Sequence, residues 1–288
     1  MELWVWLSVA AAGAQAARFA LQKRIGARMG PWAATLARFL WGAPLAALAV
    51  LAVAASRGGL PGPTWAFAGW AALGGAAQIA ATLLVVRLFA MRDFAVGIAL
   101  KKSEVILTGL VGWVLIGDAL TPLGGVALLV GLVGVLLLSD ARPGDWRPGP
   151  ALWIGLLSGL AFALSAVGYR AAALALTHGL WWERAILTLA VVTAGQALAM
   201  ALARPAAVRE VAAAWRATAP VGMASAAGSA CWFGAFALQT AALVFAVGQV
   251  ELVFSLLIGW ALFRERPGTR PLVGVALVGL SSVAAAMA

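Results

Sequence analysis

Lys101, Lys102 and Glu104 fall within a four-residue stretch of one apolar run, and Glu251 falls within another. Ionisable groups in such surroundings bind an ion or a charged ligand, carry a proton, or neutralise one another. Lys101 and Glu104 are three residues apart, on one helix face, and can pair. Behind each glutamate runs the same stripe at four-residue spacing: Glu104, Thr108, Gly112 and Glu251, Ser255, Gly259. Acid, hydroxyl and glycine therefore line a helix face twice.

The stripes belong to a longer duplication. The tetrapeptide FAVG occupies Phe94 to Gly97 and again Phe245 to Gly248, and each copy is followed by the glutamate and then by Gly-Trp. The first copy carries four extra residues before its glutamate. That is about one helical turn, which nearly preserves the face. Lys101 and Lys102 lie in or beside this insert and have no counterpart near Glu251. Two readings of the stripes compete. In one, each acid locks to a basic side chain and the hydroxyls satisfy their own backbone. In the other, both stripes line a central substrate path, and the recurrence in both halves favours this one.

The elements that must position these groups are membrane helices. Of the 288 residues, 64% are hydrophobic and 10% charged, with a mean hydropathy of +1.00. No soluble domain hides that much apolar surface. The expected fold class is an all-α integral membrane protein with ten transmembrane helices, as two inverted five-helix repeats. The spans are expected near 2–21, 32–54, 64–88, 94–116, 119–139, 150–173, 182–202, 218–242, 245–263 and 270–287. Residues 1–139 form the first repeat, 140–149 a linker loop, and 150–288 the second repeat. Five is odd, so the second repeat runs through the bilayer in the opposite sense. The start of the chain has no basic segment before its first apolar run, which reads as a retained helix.

A net charge of +10 does not point to nucleic acid, because most of the basic residues punctuate the ends of apolar runs. One cysteine, Cys231, and one histidine, His178, leave no basis for a disulfide or a Cys- or His-based metal centre. There is no Walker loop, GxSxG elbow or HExxH pair, and no cofactor is expected. Arg18, Lys23, Arg24, Arg28, Arg87, Arg92, Arg142, Arg147, Arg204, Arg209, Arg216, Arg264, Arg266 and Arg270 count to one side of the membrane. Arg57, Arg170 and Arg184 count to the other, with Arg38, Lys101 and Lys102 intramembrane. That bias places both termini outside. The excess of arginine over lysine suits a GC-rich bacterial genome, and the expected location is a bacterial inner membrane.

Further substrate-site candidates are Arg38 and Arg184, near the starts of spans two and seven, together with Gln78 and Trp232. Gln15, Gln196, Gln239 and Gln249 are buried amides of the same kind. Trp41, Trp113 and Trp260 are further rings that could stack on a ligand. Trp4, Trp6, Trp32, Trp65 and Trp146 read as interfacial, as does Tyr169 beside Arg170 near a helix end. Gly155 and Gly159 form a GxxxG that signals close helix packing.

The chain resembles the drug/metabolite transporter superfamily, specifically its ten-helix EamA type. The resemblance rests on LARFLWG in span two and on the Glu, Gly-Trp, Gly-Asp or Arg-Glu run of spans four and nine. It also rests on TPLGGVALLVGLVGVLLL opening span five and a related pattern in span ten. It implies a secondary transporter or exporter of small metabolites, with a central cavity lined largely by spans three, four, eight and nine. It marks Lys101, Glu104 and Thr108, with Glu251 and Ser255, as cavity positions. The Lys-Lys pair departs from the general pattern, and members read as having both termini in the cytoplasm.

The functional expectation is a secondary active transporter, in the exporting direction, of a small polar or zwitterionic metabolite such as an amino acid. It would work by alternating access and be coupled to protons. Lys101 or Lys102 would take a carboxylate or phosphate, and Glu104 or Glu251 an ammonium or a proton. No enzymatic activity is expected. Its partners are the substrate, the lipid bilayer and protons. The alternatives are a membrane-embedded enzyme acting on lipid-linked substrates and a non-transporting helical assembly partner. A dry interior with Glu104 salt-bridged is the signature of the latter.

Overall fold

A backbone buried in hydrocarbon must satisfy its hydrogen bonds within its own segment, and this chain does so with helices. The computed structural model describes residues 2–57, 59–91, 98, 101–119, 121–138 and 150–264. Near the C-terminus it describes 273, 274, 276, 277, 280, 281, 284 and 287. The linker at 140–149 and the first FAVG lie outside the described residues. Among those described no strand occurs, and six helices are long and apolar enough to cross a membrane. The chain is an all-α, multi-pass membrane protein.

The first element, α1 (Leu3–Arg57), is interrupted at Gly30, whose φ of 80° and ψ of 167° are outside the helical region. Glycine takes that conformation without a Cβ clash, and Pro31 then starts the second arm with no N–H to satisfy. The arms fold back on one another. The Gln22 amide donates to the Ala34 carbonyl at 2.9 Å across twelve residues, a separation of about 18 Å in a continuous helix. The basic segment expected as a loop is therefore helical up to Gly30. Arg18, counted above with the loop cations, is only 2% exposed in the interior of the first arm.

Next come α2 (Trp65–Phe89), α3 (Glu104–Ile116) and α4 (Pro122–Leu138). They are followed by α5 (Pro150–Ala175), α6 (Trp181–Ala203), α7 (Pro205–Ala213) and α8 (Trp215–Leu238). After α9 (Ala241–Val247), a single 3₁₀ turn (Gly248–Val250) leads into α10 (Glu251–Phe263). The eighth expected span is thus displaced: its helix ends at Leu238, and the residues from Ala241 begin the next element. The short α7, with proline in its first turn, was not expected. The helices α3 and α10 have the same length of 13 residues, and each has its glutamate in the first turn. Both end in a left-handed cap, Gly117 (φ 69°) in one and Arg264 (φ 57°) in the other. A non-glycine there costs about 1–2 kcal/mol.

The most extensive contacts are α1 with α8 and α2 with α5. Small residues let the backbones approach. A Cβ on Gly168 of α5 would lie 2.9 Å from Gly74 Cα of α2. One on Gly228 of α8 would lie 3.1 Å from Ala14 Cβ of α1. We predict that Gly168→Ala lowers stability by roughly 1–3 kcal/mol through overpacking. Gly69→Ala, whose Cβ would meet nothing within 4 Å, should be neutral or better. Tryptophan-fluorescence melts of the two variants in detergent test this; equal melting temperatures would refute the close α2–α5 contact.

Candidate functional site: a buried charge cluster

Between Ile98 and α3 the chain leaves regular helix at Lys102 and Ser103 before Glu104 resumes it. The break is held close to α5 by the absence of a side chain at Gly159. A Cβ there would run into the Ser103 hydroxyl and lie 2.9 Å from both the Glu104 nitrogen and the Lys101 carbonyl. The GxxxG of α5 therefore accommodates an interrupted helix. On the other side, the 3₁₀ turn before Glu251 is pressed on the ring of Trp232, which a Cβ on Gly248 would strike. Both glutamates stand in the first turn of their helices, directly after residues whose own backbone is helical, Ser103 and Val250.

The two glutamates meet on the lysines. Lys101 Nζ donates to Glu104 Oε1 and Oε2 at 2.9 and 3.1 Å. Lys102 Nζ donates to Glu104 Oε1 at 3.1 Å and to Glu251 Oε2 at 2.6 Å. Lys101 Nζ also lies 3.3 Å from Glu251 Oε2. None of the four residues is more than 3% exposed. The two lysines without a counterpart in the second copy are thus the bridge between the copies. Lys101 is further enclosed by aromatic faces, 4.7 Å from the Phe162 ring and 5.3 Å from that of Phe19. Cation–π attraction there adds to the ion pairs.

The rest of the two stripes is buried as well. Thr108 donates its hydroxyl to the Glu104 carbonyl at 2.6 Å, satisfying its own helix. The Ser255 hydroxyl, fully buried, has no hydrogen-bond partner. Trp113 and Trp260, at 65% and 64% exposure, face away from the interior. The expectation that they stack on a ligand is corrected, because the glycine before each faces inward and the ring must then face out.

A second set of cations lies in the same interior. Arg18 donates to Gln22 and Gln15 at 3.0 and 3.2 Å and stands within electrostatic reach of Glu104, Glu251 and Arg38. Trp232 donates its indole N–H to the same Gln15 oxygen at 3.1 Å. Arg38 donates to Ser225 at 3.0 Å and Thr82 at 2.9 Å. Gln78, with its amide turned to satisfy Ser165, accepts from Arg38 at 2.8 Å. The lysines and glutamates cancel, whereas Arg18 and Arg38 are held by neutral acceptors and the ring of the following phenylalanine. Among the described residues no carboxylate lies within ion-pair distance of either. Guanidinium groups cannot shed their charge, so among the described residues these six groups leave two positive charges in excess.

Arg184 does not join the cluster. It stands in the first turn of α6 beside Glu183, which pairs with Arg57 at 2.9 Å. Tyr169 is corrected from interfacial to buried, at 4% exposure. It accepts from Gln196 at 3.1 Å and stacks on Phe233 at 4.4 Å. Trp4, expected at the interface, is also buried, with its indole N–H on Glu2. Arg18 is the functional candidate the sequence reading missed. Its signal was there in Gln15, Arg18 and Gln22, three polar groups at three- and four-residue spacing on one helix face.

No protein-family model matches the chain, and no curated protein does. A solved structure, described as a crystal structure of a protein, matches it with a TM-score of 0.69. That match covers 99% of this chain and 96% of the other at 16% identity. At that identity the likeness concerns the fold alone.

Removing one member of a buried ion pair strands the other, a loss of about 3–5 kcal/mol, whereas replacing both with apolar residues restores much of it. We predict that Glu251→Leu alone melts well below the parent protein. The double variant Lys102→Met with Glu251→Leu, which leaves the Lys101–Glu104 pair intact, should recover most of the loss. A double variant no more stable than the single one would show that the bridge is not the source of the effect.

Proposed function

We propose that this protein is a secondary active transporter of a small polar or zwitterionic metabolite. In this reading ten spans, the two arms of α1 counted separately, form two inverted five-helix repeats. These rock around a site at the level of the charge cluster. The observation that carries the reading is the meeting of Glu104 and Glu251 on Lys102. Two helices of equal length, each with an acid in its first turn, converge on a pair of lysines. Buried ionisable groups on facing helices of inverted repeats are where transporters place a substrate or coupling ion.

The roles of the individual groups follow from their partners. Both lysines are already engaged by glutamates, so a substrate carboxylate is better served by Arg18 and Arg38, which have only neutral acceptors. An arriving ammonium or proton competes with Lys102 for Glu104 and Glu251. Protonating either acid leaves both lysines held by the other acid alone and loosens the link between α3 and α10, which supports proton coupling as the trigger for opening. The resemblance to the EamA-type transporters points the same way.

One observation favours a second reading. The cluster is closed to solvent and internally paired, as a non-transporting helical assembly partner would have it. A thermal-shift screen of the purified protein against amino acids and related metabolites identifies a stabilising ligand for the transport assay. In proteoliposomes, uptake of that ligand driven by a pH gradient should be lost in both Glu104→Gln and Glu251→Gln. Unchanged pH-driven uptake in both would sink proton coupling, and no stabilising ligand at all would favour the assembly partner.

A further inference from the structure

A groove of about 470 Å³ opens between the last turns of the first α1 arm and the start of α8. Leu21, Ile25 and Pro220 give it an apolar wall, and Arg24, Arg28 and Arg216 line its polar side. Arg24 and Arg28 are four residues apart, on one face of the helix, and they repel each other. All three arginines are exposed, and among the described residues none has an ion pair. The one contact recorded for them is Arg216 over the Trp215 ring at 5.4 Å. Among the described residues no acidic side chain lines the groove. Three unneutralised guanidinium groups beside a greasy wall lack an anion that carries hydrocarbon.

We propose that this groove binds an anionic phospholipid drawn from the surrounding bilayer. The phosphate would lie among Arg24, Arg28 and Arg216, and the first acyl carbons along Leu21, Ile25 and Pro220. Guanidinium groups hold phosphate oxygens through paired N–H donors, which favours arginine at such a site. Depth agrees with this assignment. The first α1 arm begins at Leu3, so Arg24 and Arg28 lie about 30–38 Å of rise beyond it, where a bilayer's headgroups begin. The short helix α7, whose buried residues are Ala207 and Val211, packs on α1. A soluble anion would leave the apolar half of the groove unused.

The place matters because α1 and α8 also hold the polar interior together, through Arg38 with Ser225 and Gln15 with Trp232. A lipid wedged between them at one end clamps that contact and should stabilise the folded state.

The test uses the purified full-length protein in neutral detergent. It is titrated separately with phosphatidylglycerol, phosphatidylcholine and inorganic phosphate. Melting is followed by tryptophan fluorescence, and retained lipid is counted by native mass spectrometry. Phosphatidylglycerol should raise the melting temperature and persist as an adduct, while the other two should do neither. The triple variant Arg24→Gln, Arg28→Gln, Arg216→Gln should lose about a hundredfold in affinity, some fivefold per arginine. Its lipid-free melting temperature should be unchanged, since these side chains are exposed and unpaired. Should the triple variant prove unstable, Arg28→Gln alone should show the fivefold loss. Equal retention of the two lipids would overturn the proposal. So would full competition by inorganic phosphate, or undiminished phosphatidylglycerol binding by the variants.

Discussion

Lys102 touches both Glu104 and Glu251, and much of the molecule's interior is arranged around that double contact. Four fully buried charges in an apolar helical protein are tolerable only when they neutralise one another within hydrogen-bond distance. Meeting this condition requires two acids 147 positions apart in the chain to arrive at one point. It also requires a local break that lets consecutive lysines reach inward together. An uninterrupted helix would turn Lys101 and Lys102 about 100° apart, and one would face hydrocarbon. A hydrogen-bonded turn at Lys102 and Ser103 precedes α3, and Gly159 leaves room for it.

Packing elsewhere serves the same requirement. Gly74 and Gly168 bring α2 and α5 into backbone contact, and Gly228 does so for α8 against α1. These close pairs deliver Gln78, Thr82 and Ser225 to Arg38, and Trp232 to the Gln15 amide that also holds Arg18. A wider spacing would leave those guanidinium groups without acceptors, at a heavy desolvation cost. Small residues outside the charged stripes are therefore as necessary to the cluster as the charges themselves.

Periodicity and composition made the helical membrane class legible, because a run of about 20 apolar residues has few other fates. The pairing of Lys101 with Glu104 was equally legible, since it is a matter of spacing on one helix. Arg18 was misread because a cation near the end of an apolar run ordinarily marks a membrane boundary. Here the helix continues for another three turns, and the boundary lies beyond it. Tyr169 was misread for the same reason, its neighbour Arg170 being bonded to Asp118 within the protein rather than anchored at an interface. Trp113 and Trp260 were misread although each follows a glycine of the inward stripe, and adjacent residues on a helix point about 100° apart.

The duplication, the buried acids and the hydroxyl-glycine stripes behind them are properties of the chain as written. They follow from residue types and short-range spacing, which any helix reproduces. That the two acids share both lysines, and that among the described residues Arg18 and Arg38 have no carboxylate within ion-pair distance, depends on contacts between α1, α3, α8 and α10. Such contacts are set by which faces pack and how closely, and no local pattern encodes the partner of a buried charge. The sequence therefore named the charges, and the packing of the helices established which were cancelled and which were left over.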